Sequence, residues 1–438
     1  MLDIVIKNGR VIDPANSRDE IADVAIEHGR IVKVGKVSGK AREVIDATGK
    51  IVCPGLIDIH VHCREPGHEE EETIATAAAA AVAGGFTTIC AMPNTHPPID
   101  NETSVQYVLQ RGTEAAAARV LPVGCITKGR KGEELAEMAA MLAAGAVAFS
   151  DDGDGVASTA VMYRALQYAR MLDVSLMQHC QDNDLAGGAM NSGAVAVRLG
   201  LGGIASAGEE LMLQRDLVLA ERTGARYHVQ HVSSAWSVEL IRQAKARGVK
   251  VTAEATPHHL LLTDAACASF DPIYKVNPPL RSSSDVEAVR RGVADGTIDC
   301  LATDHAPQSA EEKELEFALA PFGIISLECA VSLYVKALVD TGLLDWPGLI
   351  ARMTINPARV IGITEEAGSS YRPAGLIEGL GTLSVGAVAD VTIIDPKKRW
   401  TIRTEKFRSK SRNCPYDSWR VKAKPVYTIV AGQVKYAE

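Results

Sequence analysis

A repeating unit in the middle of the chain constrains the fold more than any other sequence feature. In each copy an amphipathic helical segment ends at a glycine, and a short β-rich segment follows; the clearest copies span residues 135–149, 213–230 and 236–253. Glycine most readily takes the left-handed conformation just past a helix end. Alternation of helix and strand predicts a parallel sheet with helical crossovers.

Five further segments have the composition of buried strands. They are residues 57–61, 86–91, 119–125, 174–177 and 299–303. With the strands of the repeats they make about eight strand–helix units, which predicts a (β/α)8 TIM-type barrel. A doubly wound open sheet is the alternative, but the chain has no Gly-x-Gly-x-x-Gly or phosphate-loop motif to support it.

Both ends of the chain read as β-strands instead. Three dipeptides are predicted hairpin turns: Asn8-Gly9, His28-Gly29 and Ala431-Gly432. A further strand over residues 389–395 is predicted to be closed by Pro396. We therefore predict a small β-sandwich domain from residues 1–54 and 369–438, and a catalytic barrel from residues 55–368.

Charge and composition argue against several kinds of partner. The formal net charge is −8, which disfavours nucleic acid or an anionic membrane as the main partner. The nine cysteines are scattered without a Cys-x-x-Cys pair, which is typical of reduced thiols in a cytosol. The start of the chain does not resemble a signal peptide, and no apolar run reaches the roughly 20 residues that span a bilayer. We expect a cytoplasmic protein.

The most informative chemical motif is His60-Val61-His62, at the end of the first predicted barrel strand. Side chains alternate along a strand, so both imidazoles point the same way and make half of a metal site. Arg64 has the same parity. It would place a fixed cation beside the metal, which suits a substrate that carries a carboxylate.

Polar residues follow four more predicted strands, at the carboxyl ends where barrel active sites lie. They are Asp151 and Asp152, His179, His231 and Asp304. Four histidines and two carboxylates on five strand ends predict a binuclear hydrolytic site, in which zinc accepts nitrogen and oxygen ligands. Asp152 is the candidate bridge, although either aspartate could instead serve a turn.

Three other histidines are predicted to be structural. His228 is out of phase with His231 and is expected to pack behind its strand. His258 and His259 follow Pro257 at the exit of the seventh strand, where a supporting role near the metal is the alternative.

Asn94 and Asn277 each adjoin proline, which stiffens a loop that could present the amide to a substrate. An Asx-turn is an equal alternative for each asparagine taken alone. The long segment from Ala306 to Phe322 predicts a cover over the site.

With these motifs the chain resembles, over essentially its whole length, the metal-dependent cyclic amidohydrolases, and within them the type I dihydroorotases. The resemblance is carried by residues 60–67 (HVHCREPG), 91–95 (AMPNT), 150–153 (SDDG), 275–281 (KVNPPLR) and 303–307 (TDHAP). It implies that Asp152 bridges the metals and that Asp304 is both ligand and proton shuttle. The other implied zinc ligands are His60, His62, His179 and His231.

The resemblance also implies a substrate, partners and a substrate-binding set. N-carbamoyl-L-aspartate would close reversibly to dihydroorotate, in pyrimidine biosynthesis, with one or two zinc ions per subunit and two favoured. The implied substrate-binding residues are Arg64, Asn94, Asn277, Gln308, Pro321, Phe322 and Gly323. A homo-oligomer is expected, and aspartate transcarbamoylase is the partner that the resemblance suggests.

Four positions distinguish this chain within that superfamily. Ser150 stands where hydantoinases and allantoinases have a carboxylated lysine bridge, which fits the aspartate-bridged branch. The other three are Glu71 in place of a usual lysine, Gln181 in place of an acidic residue, and Gln308 in place of a substrate-contacting histidine. A hydantoinase-like cyclic amidase and an inactive scaffold for aspartate transcarbamoylase are the alternative functions.

Overall fold

The computed structural model describes residues 1–364 and 379–438, so the predicted boundary between residues 368 and 369 lies outside the described residues. Eight parallel strands form the central sheet in chain order: Leu56–Val61, Phe86–Ala91, Arg119–Gly124, Ala148–Ser150, Ser175–Gln178, Arg226–Val229, Val251–Ala255 and Cys300–Leu301. A parallel bridge between Val61 and His305 joins the first strand to the segment after the eighth. The predicted (β/α)8 barrel is confirmed.

Eight connecting helices follow the eight barrel strands, one after each. They are Ile74–Ala83, Glu102–Ala115, Met138–Ala144, Thr159–Leu172, Ser206–Thr223, Ala235–Ala246, Ser283–Ala294 and Ala330–Tyr334, the last continuing as a π-helical turn over Val335–Val339. Helix Glu102–Ala115 is typical, because it buries Val105, Val108 and Gly112 at helical spacing. Within the described ranges, no helix has the length and apolar character to cross a membrane.

Shorter elements complete the connections between strands. The short α-helices are Ala194–Leu199, Pro257–Leu261, Ala310–Lys313, Trp346–Met353 and Ile355–Val360. The 3-10 turns are Pro14–Asn16, Lys128–Arg130, Asn183–Leu185, Asp264–Ser269, Pro272–Tyr274 and Thr404–Lys406. Strands Met190–Asn191 and Gly203–Ile204 form a separate two-stranded sheet.

The predicted glycine caps lie just past the ends of helices. Gly145 and Gly224 have φ of 117° and 67°, in the left-handed region that disfavours residues with a Cβ. Each therefore ends its helix and turns the chain into the next barrel strand. The first of these helices begins at Met138, so Leu135 lies before it rather than inside it as the pattern predicted.

The two ends of the chain form one further sheet, as predicted. Its strands are Leu2–Asp13, Arg18–Glu27, Arg30–Gly35, Ala41–Asp46, Ile51–Pro54, Val391–Thr401, Arg420–Val430 and Gln433–Ala437. Strand Ile51–Pro54 links the halves, since it pairs with both Leu2–Asp13 and Val391–Thr401. The sheet encloses its own core, in which Ile6 and Val24 from the first half share one apolar cluster with Ile393 and Ile429 from the second.

Two of the predicted strand ends are wrong. Strand Leu2–Asp13 runs through Asn8 and Gly9, where the register shifts, so this dipeptide is a β-bulge and not a hairpin turn. Strand Val391–Thr401 likewise runs through Pro396, because a register shift between Asp395 and Arg399 removes the need for a donor there. The hairpin turns at His28-Gly29 and Ala431-Gly432 are confirmed, with positive φ at all four residues.

Candidate metal centre

The carboxyl ends of five barrel strands bring six buried side chains to one point. They are His60, His62, Asp152, His179, His231 and Asp304. Asp152 lies between the histidines: its Oδ1 is 3.4 Å from His60 Nε2 and 3.5 Å from His231 Nε2, and its Oδ2 is 3.4 Å from His62 Nε2. Asp304 approaches from the other side, with its Oδ1 3.0 Å from His62 Nε2.

His179 joins the cluster through His231. Its Nδ1 lies 2.8 Å from His231 Nε2 and 3.8 Å from Asp152 Oδ1. All six side chains that the sequence predicted as ligands therefore lie within one small, buried group.

The spacing of the donor atoms fits a metal ion. Two ligands at about 2.0–2.1 Å from a tetrahedral zinc ion are about 3.4 Å apart, close to the separations that Asp152 has from three imidazoles. His60 Nε2 and Asp152 Oδ1 are both buried and have no hydrogen-bond partner among the described residues. Because an unpaired buried polar atom is costly, a cation between the two atoms would satisfy both.

Three residues of the site have strained backbones. Arg64, His231 and Asp304 have φ of 59°, 29° and 46°, a region that residues with a Cβ rarely occupy. Such strain concentrates at functional sites, where the direction of a side chain is part of the mechanism. All three residues lie just past the last residue of a barrel strand.

Electrostatics keep the two carboxylates of the cluster ionised. Burial alone would raise the pKa of Asp152 and of Asp304, but the positive charge of His60 outweighs it and lowers both pKa values well below the usual range. Burial and the charge of His231 lower the pKa of His179 to about 4. Anionic oxygens and a neutral imidazole are the forms that bind metals.

Two of the imidazoles, those of His62 and His179, are held by a second side chain at the nitrogen away from the centre of the cluster. His62 Nδ1 lies 2.8 Å from Asn94 Oδ1, and His179 Nε2 lies 3.3 Å from Gln181 Oε1. Asn277 donates to the same Gln181 oxygen at 2.7 Å. Gln181, which departs from the family pattern, therefore still accepts hydrogen bonds on the side of the imidazole away from Asp152.

Sequence reasoning missed Glu254, which supports His60. The carboxylate is fully buried, and its Oε1 lies 2.5 Å from His60 Nδ1. Burial acts to raise the pKa of Glu254, but the charge of His60 and hydrogen bonds from His60 and His228 lower it to about 2. A single glutamate inside a buried barrel strand is the signal that could have found it, because unpaired carboxylates are almost never fully buried.

The structure separates the roles of several neighbouring polar residues. Asp151 is structural, since it accepts backbone N–H groups of Ile126 and Thr127 at 2.8 and 3.1 Å.

The prediction that His228 packs behind its strand is wrong. Its Nε2 lies 3.1 Å from the Glu254 carboxylate that also meets His60, so the ring faces the barrel interior.

Of the paired histidines after the seventh strand, His259 is structural. Its ring lies between the Thr256 hydroxyl, at 2.9 Å, and the Pro278 carbonyl, at 3.0 Å. His258 is fully buried against His259, with 4.4 Å between ring centroids.

Arg64 is partly buried at the edge of the cluster. Its Nε donates to the Pro307 carbonyl at 3.0 Å and lies 2.8 Å from Glu71 Oε2. Glu71 therefore places a negative charge directly against the cation that the sequence predicted for a substrate carboxylate.

The remaining predicted substrate residues contact one another in the segment after the eighth strand. Gln308 donates to the Phe322 carbonyl at 2.9 Å, and the Phe322 ring centroid lies 4.7 Å from Lys275 Nζ. Gly323 donates to the Lys275 carbonyl at 2.9 Å. With a φ of 150°, a Cβ at Gly323 would come within 2.6 Å of the Ala306 carbonyl oxygen, so only glycine fits.

The segment from Ala306 to Phe322, which the sequence predicts as a cover over the site, is held by hydrogen bonds at its middle and at its ends. Lys313 Nζ donates to the carbonyls of Pro272 and Pro321, each at 2.9 Å. Asn413 donates to the carbonyls of Ala306 and Gly323 at 3.0 and 3.1 Å, which joins the two ends of the segment. Sequence reasoning missed Asn413.

Comparison with known proteins decides the family. A family model described as dihydro-orotase-like matches residues 49–237. A dihydroorotase of Pelotomaculum thermopropionicum is 51% identical over 433 residues, which cover 98% of this chain and 98% of that protein. The chain belongs to the dihydroorotase family. A dihydroorotase of Caldanaerobacter subterraneus subsp. tengcongensis is 47% identical over 435 residues, covering 99% and 97% of the two chains.

Solved structures that resemble this dihydroorotase family member share its complete fold. An L-hydantoinase (dihydropyrimidinase) from Arthrobacter aurescens superimposes with a TM-score of 0.86 at 25% identity, over 100% of this chain and 96% of that one. A D-hydantoinase (dihydropyrimidinase) from Thermus sp. gives 0.79 at 26% identity, over 99% and 95%. Barrel and terminal sheet therefore occur together in both proteins.

Proposed function

We propose that the chain is a zinc-dependent dihydroorotase that catalyses the reversible cyclisation of N-carbamoyl-L-aspartate to dihydroorotate in pyrimidine biosynthesis. The observation that carries this proposal is the convergence of four imidazoles and two carboxylates beside the partly buried guanidinium of Arg64. The dihydroorotase relatives, about half identical over nearly the whole chain, support the same substrate.

His60, His62, His179, His231, Asp152 and Asp304 would hold the zinc, with two ions favoured because Asp152 presents one oxygen to His62 and the other to His60 and His231. When bound, zinc supplies Lewis-acid chemistry, lowering the pKa of water and polarising the amide carbonyl of the ring. Ser150 cannot supply the carboxylated lysine of hydantoinases, so the bridging role falls to Asp152.

Asp304 is the proposed proton carrier. Its carboxylate is buried, and its Oδ1 lies 3.0 Å from His62 Nε2 and 3.5 Å from His60 Nε2, beside the residues that would hold the zinc. In the hydrolytic direction it takes the proton of the attacking water and delivers it to the leaving ring nitrogen. In the cyclisation direction the same oxygen accepts the proton of the attacking ureido nitrogen.

Arg64 would hold the exocyclic carboxylate of the substrate and thereby orient the ring. Asn94 and Asn277 would add amide hydrogen bonds to the substrate; their nearness to the cluster supports this, since Asn94 contacts His62 and Asn277 contacts Gln181. Gln308, Pro321, Phe322 and Gly323 would form the wall opposite. A homo-oligomer, a cytoplasmic location and association with aspartate transcarbamoylase are further parts of the proposal.

The test is turnover of dihydroorotate by the purified chain, with and without added zinc, beside an unsubstituted hydantoin and dihydrouracil. Turnover of dihydroorotate far above that of both uncharged rings supports the proposal. Preference for an uncharged ring would instead favour a hydantoinase-like amidase, which the structural neighbours make the second candidate. Zinc binding without turnover of any ring would favour the scaffold function.

A further inference from the structure

Glu254 lies behind His60, at the centre of a chain of buried hydrogen bonds. It belongs to the seventh barrel strand, Val251–Ala255, and is fully buried. Its Oε1 lies 2.5 Å from His60 Nδ1 and accepts the backbone N–H of His231 at 3.2 Å. Its Oε2 lies 3.1 Å from His228 Nε2. One carboxylate thus contacts two of the six cluster residues.

The position of Glu254 determines which nitrogen of His60 carries a proton. A carboxylate only accepts hydrogen bonds, so His60 Nδ1 at 2.5 Å must be the protonated nitrogen. When His60 is neutral, the form that binds a metal, its lone pair is on Nε2, which faces Asp152 Oδ1 at 3.4 Å and Asp304 Oδ1 at 3.5 Å. A lone pair that faces two anionic oxygens is repelled unless a cation lies between them.

The second oxygen of the Glu254 carboxylate, Oε2, is also held in place, by His228. His228 Nδ1 lies 2.8 Å from the Thr252 hydroxyl, which stands two residues before Glu254 on the same strand face. Thr252 pairs with His228 in the register of the two strands. His228 can therefore direct its Nε2–H at Glu254, and the carboxylate cannot swing away from His60.

We propose that Glu254 is a positioning residue for the metal centre, fixing the tautomer and ring direction of His60 through Nδ1 and the backbone of His231 through its N–H. This inference rests on the metal centre of the proposed function. Carboxylates that bind the far nitrogen of a metal-ligating histidine raise its basicity, and their removal typically lowers metal affinity by about 10–100-fold.

The test measures zinc binding, not turnover. Zinc is removed with a chelator, and the affinity of the chain for Zn²⁺ is then determined by competition with a chromophoric chelator at neutral pH. Glu254→Gln keeps the volume but loses the charge, and its amide nitrogen would meet the Nε2–H of His228, so two donors would face each other. We expect Glu254→Gln to weaken zinc affinity about tenfold and Glu254→Ala about 100-fold.

The matched control is Glu328→Gln. Glu328 is also a buried glutamate whose carboxyl group accepts two backbone N–H groups, from Arg408 and Ser409, but it contacts none of the cluster residues. Its zinc affinity should equal that of the natural chain. Thermal unfolding of the zinc-free proteins shows whether each variant is folded, and Glu254→Gln remains decisive if Glu254→Ala does not fold.

Each outcome bears on the inference. Weakened zinc binding by folded Glu254→Gln, with normal binding by Glu328→Gln, supports it. Natural zinc affinity in folded Glu254→Gln, equal weakening by both glutamines, or no zinc binding by the natural chain would overturn it. A natural chain that binds zinc tightly but does not turn over dihydroorotate would contradict the proposed function and leave the zinc comparison intact.

Discussion

The Nε atom of Arg64 lies 2.8 Å from Oε2 of Glu71, in a pair whose side chains are only 12% and 8% exposed. Nε also donates to the Pro307 carbonyl at 3.0 Å, so this edge of the guanidinium is already occupied. The Nη atoms remain for a substrate carboxylate. The positive charge of Arg64, which is proposed to hold the substrate carboxylate, is therefore partly neutralised by Glu71.

Glu71→Gln should strengthen the binding of dihydroorotate. The amide keeps the size of the side chain and an acceptor for Arg64, but it removes a negative charge that repels the substrate carboxylate. At an effective dielectric constant between that of protein and water, this repulsion costs about 1 kcal/mol, or about a fivefold fall in KM. Steady-state kinetics with dihydroorotate would measure this change in KM. The matched control is Glu70→Gln, because the Glu70 side chain is 64% exposed and its substitution should change KM little. A higher KM for Glu71→Gln would mean that Glu71 contributes more by holding Arg64 in place than it costs by repelling the substrate.

Arg64→Ala should lower kcat/KM for dihydroorotate by about 100-fold, because a charge-assisted bidentate contact contributes about 2–3 kcal/mol. The loss for an uncharged hydantoin should be far smaller, since that ring has no carboxylate to hold. The comparison of kcat/KM for the two substrates is the measurement. Equal losses for both would contradict the role assigned to Arg64.

Asp304→Asn should nearly abolish turnover while leaving the rest of the site intact. Asparagine retains an oxygen 3.0 Å from His62 Nε2 in the same geometry, but it cannot accept the proton of the attacking water. A proton carrier of this kind contributes about 10²–10⁴-fold to the rate. Turnover should be assayed at saturating zinc, with the metal content measured by elemental analysis; a near-natural rate in the zinc-loaded variant would exclude Asp304 as the proton carrier.

The parts of the site that sequence patterns predicted are those governed by regular strand geometry. His60 and His62 lie on one strand, Leu56–Val61, or directly after it, where alternation is local and reliable. The same counting failed for His228, because the strand ends at Val229 and His231 has a φ of 29°. The alternation of side chains does not hold across this irregular turn. Counting it back from His231 therefore predicted the wrong side of the strand for His228.

Local sequence carries no signal of which residues meet in long-range contacts. Asn413 closes the segment after the eighth strand from 107 residues away, across the region between barrel and terminal sheet. Glu254 supports His60 from 194 residues away. Such contacts follow from barrel closure and from the packing of the terminal domain, which a single sequence does not encode in any short window.

Removal of the metal should destabilise the chain, because Asp152 and Asp304 would then remain as two buried carboxylates around the same imidazoles. Zinc in about 1,000-fold excess over its Kd would stabilise the folded state by about 4 kcal/mol. We expect the melting temperature to fall by several degrees after chelation and to recover when zinc is restored. Calorimetry of the chelated and reloaded chain measures this, and identical melting temperatures in both states would argue against a zinc site.

Glu328 should make stability depend on pH in a part of the molecule away from the metal. Burial raises the pKa of Glu328 to about 8, despite hydrogen bonds from the backbone N–H groups of Ser409 and Arg408 that act to lower it. The folded state therefore favours the protonated carboxyl. Its contribution to stability is complete below a pH of about 4.5, decreases as the pH rises towards 8, and is lost above that value.

Glu328→Gln should remove this dependence, because the amide has no proton to lose and can still accept both backbone N–H groups. The free energy of unfolding of the natural chain relative to this variant should fall by as much as about 4 kcal/mol between pH 5 and pH 8. Chemical denaturation of both proteins at the two pH values, with zinc held saturating so that the cluster does not contribute, measures the difference. A natural chain whose unfolding free energy changes in parallel with that of Glu328→Gln would show that this carboxyl is ionised in the folded state throughout.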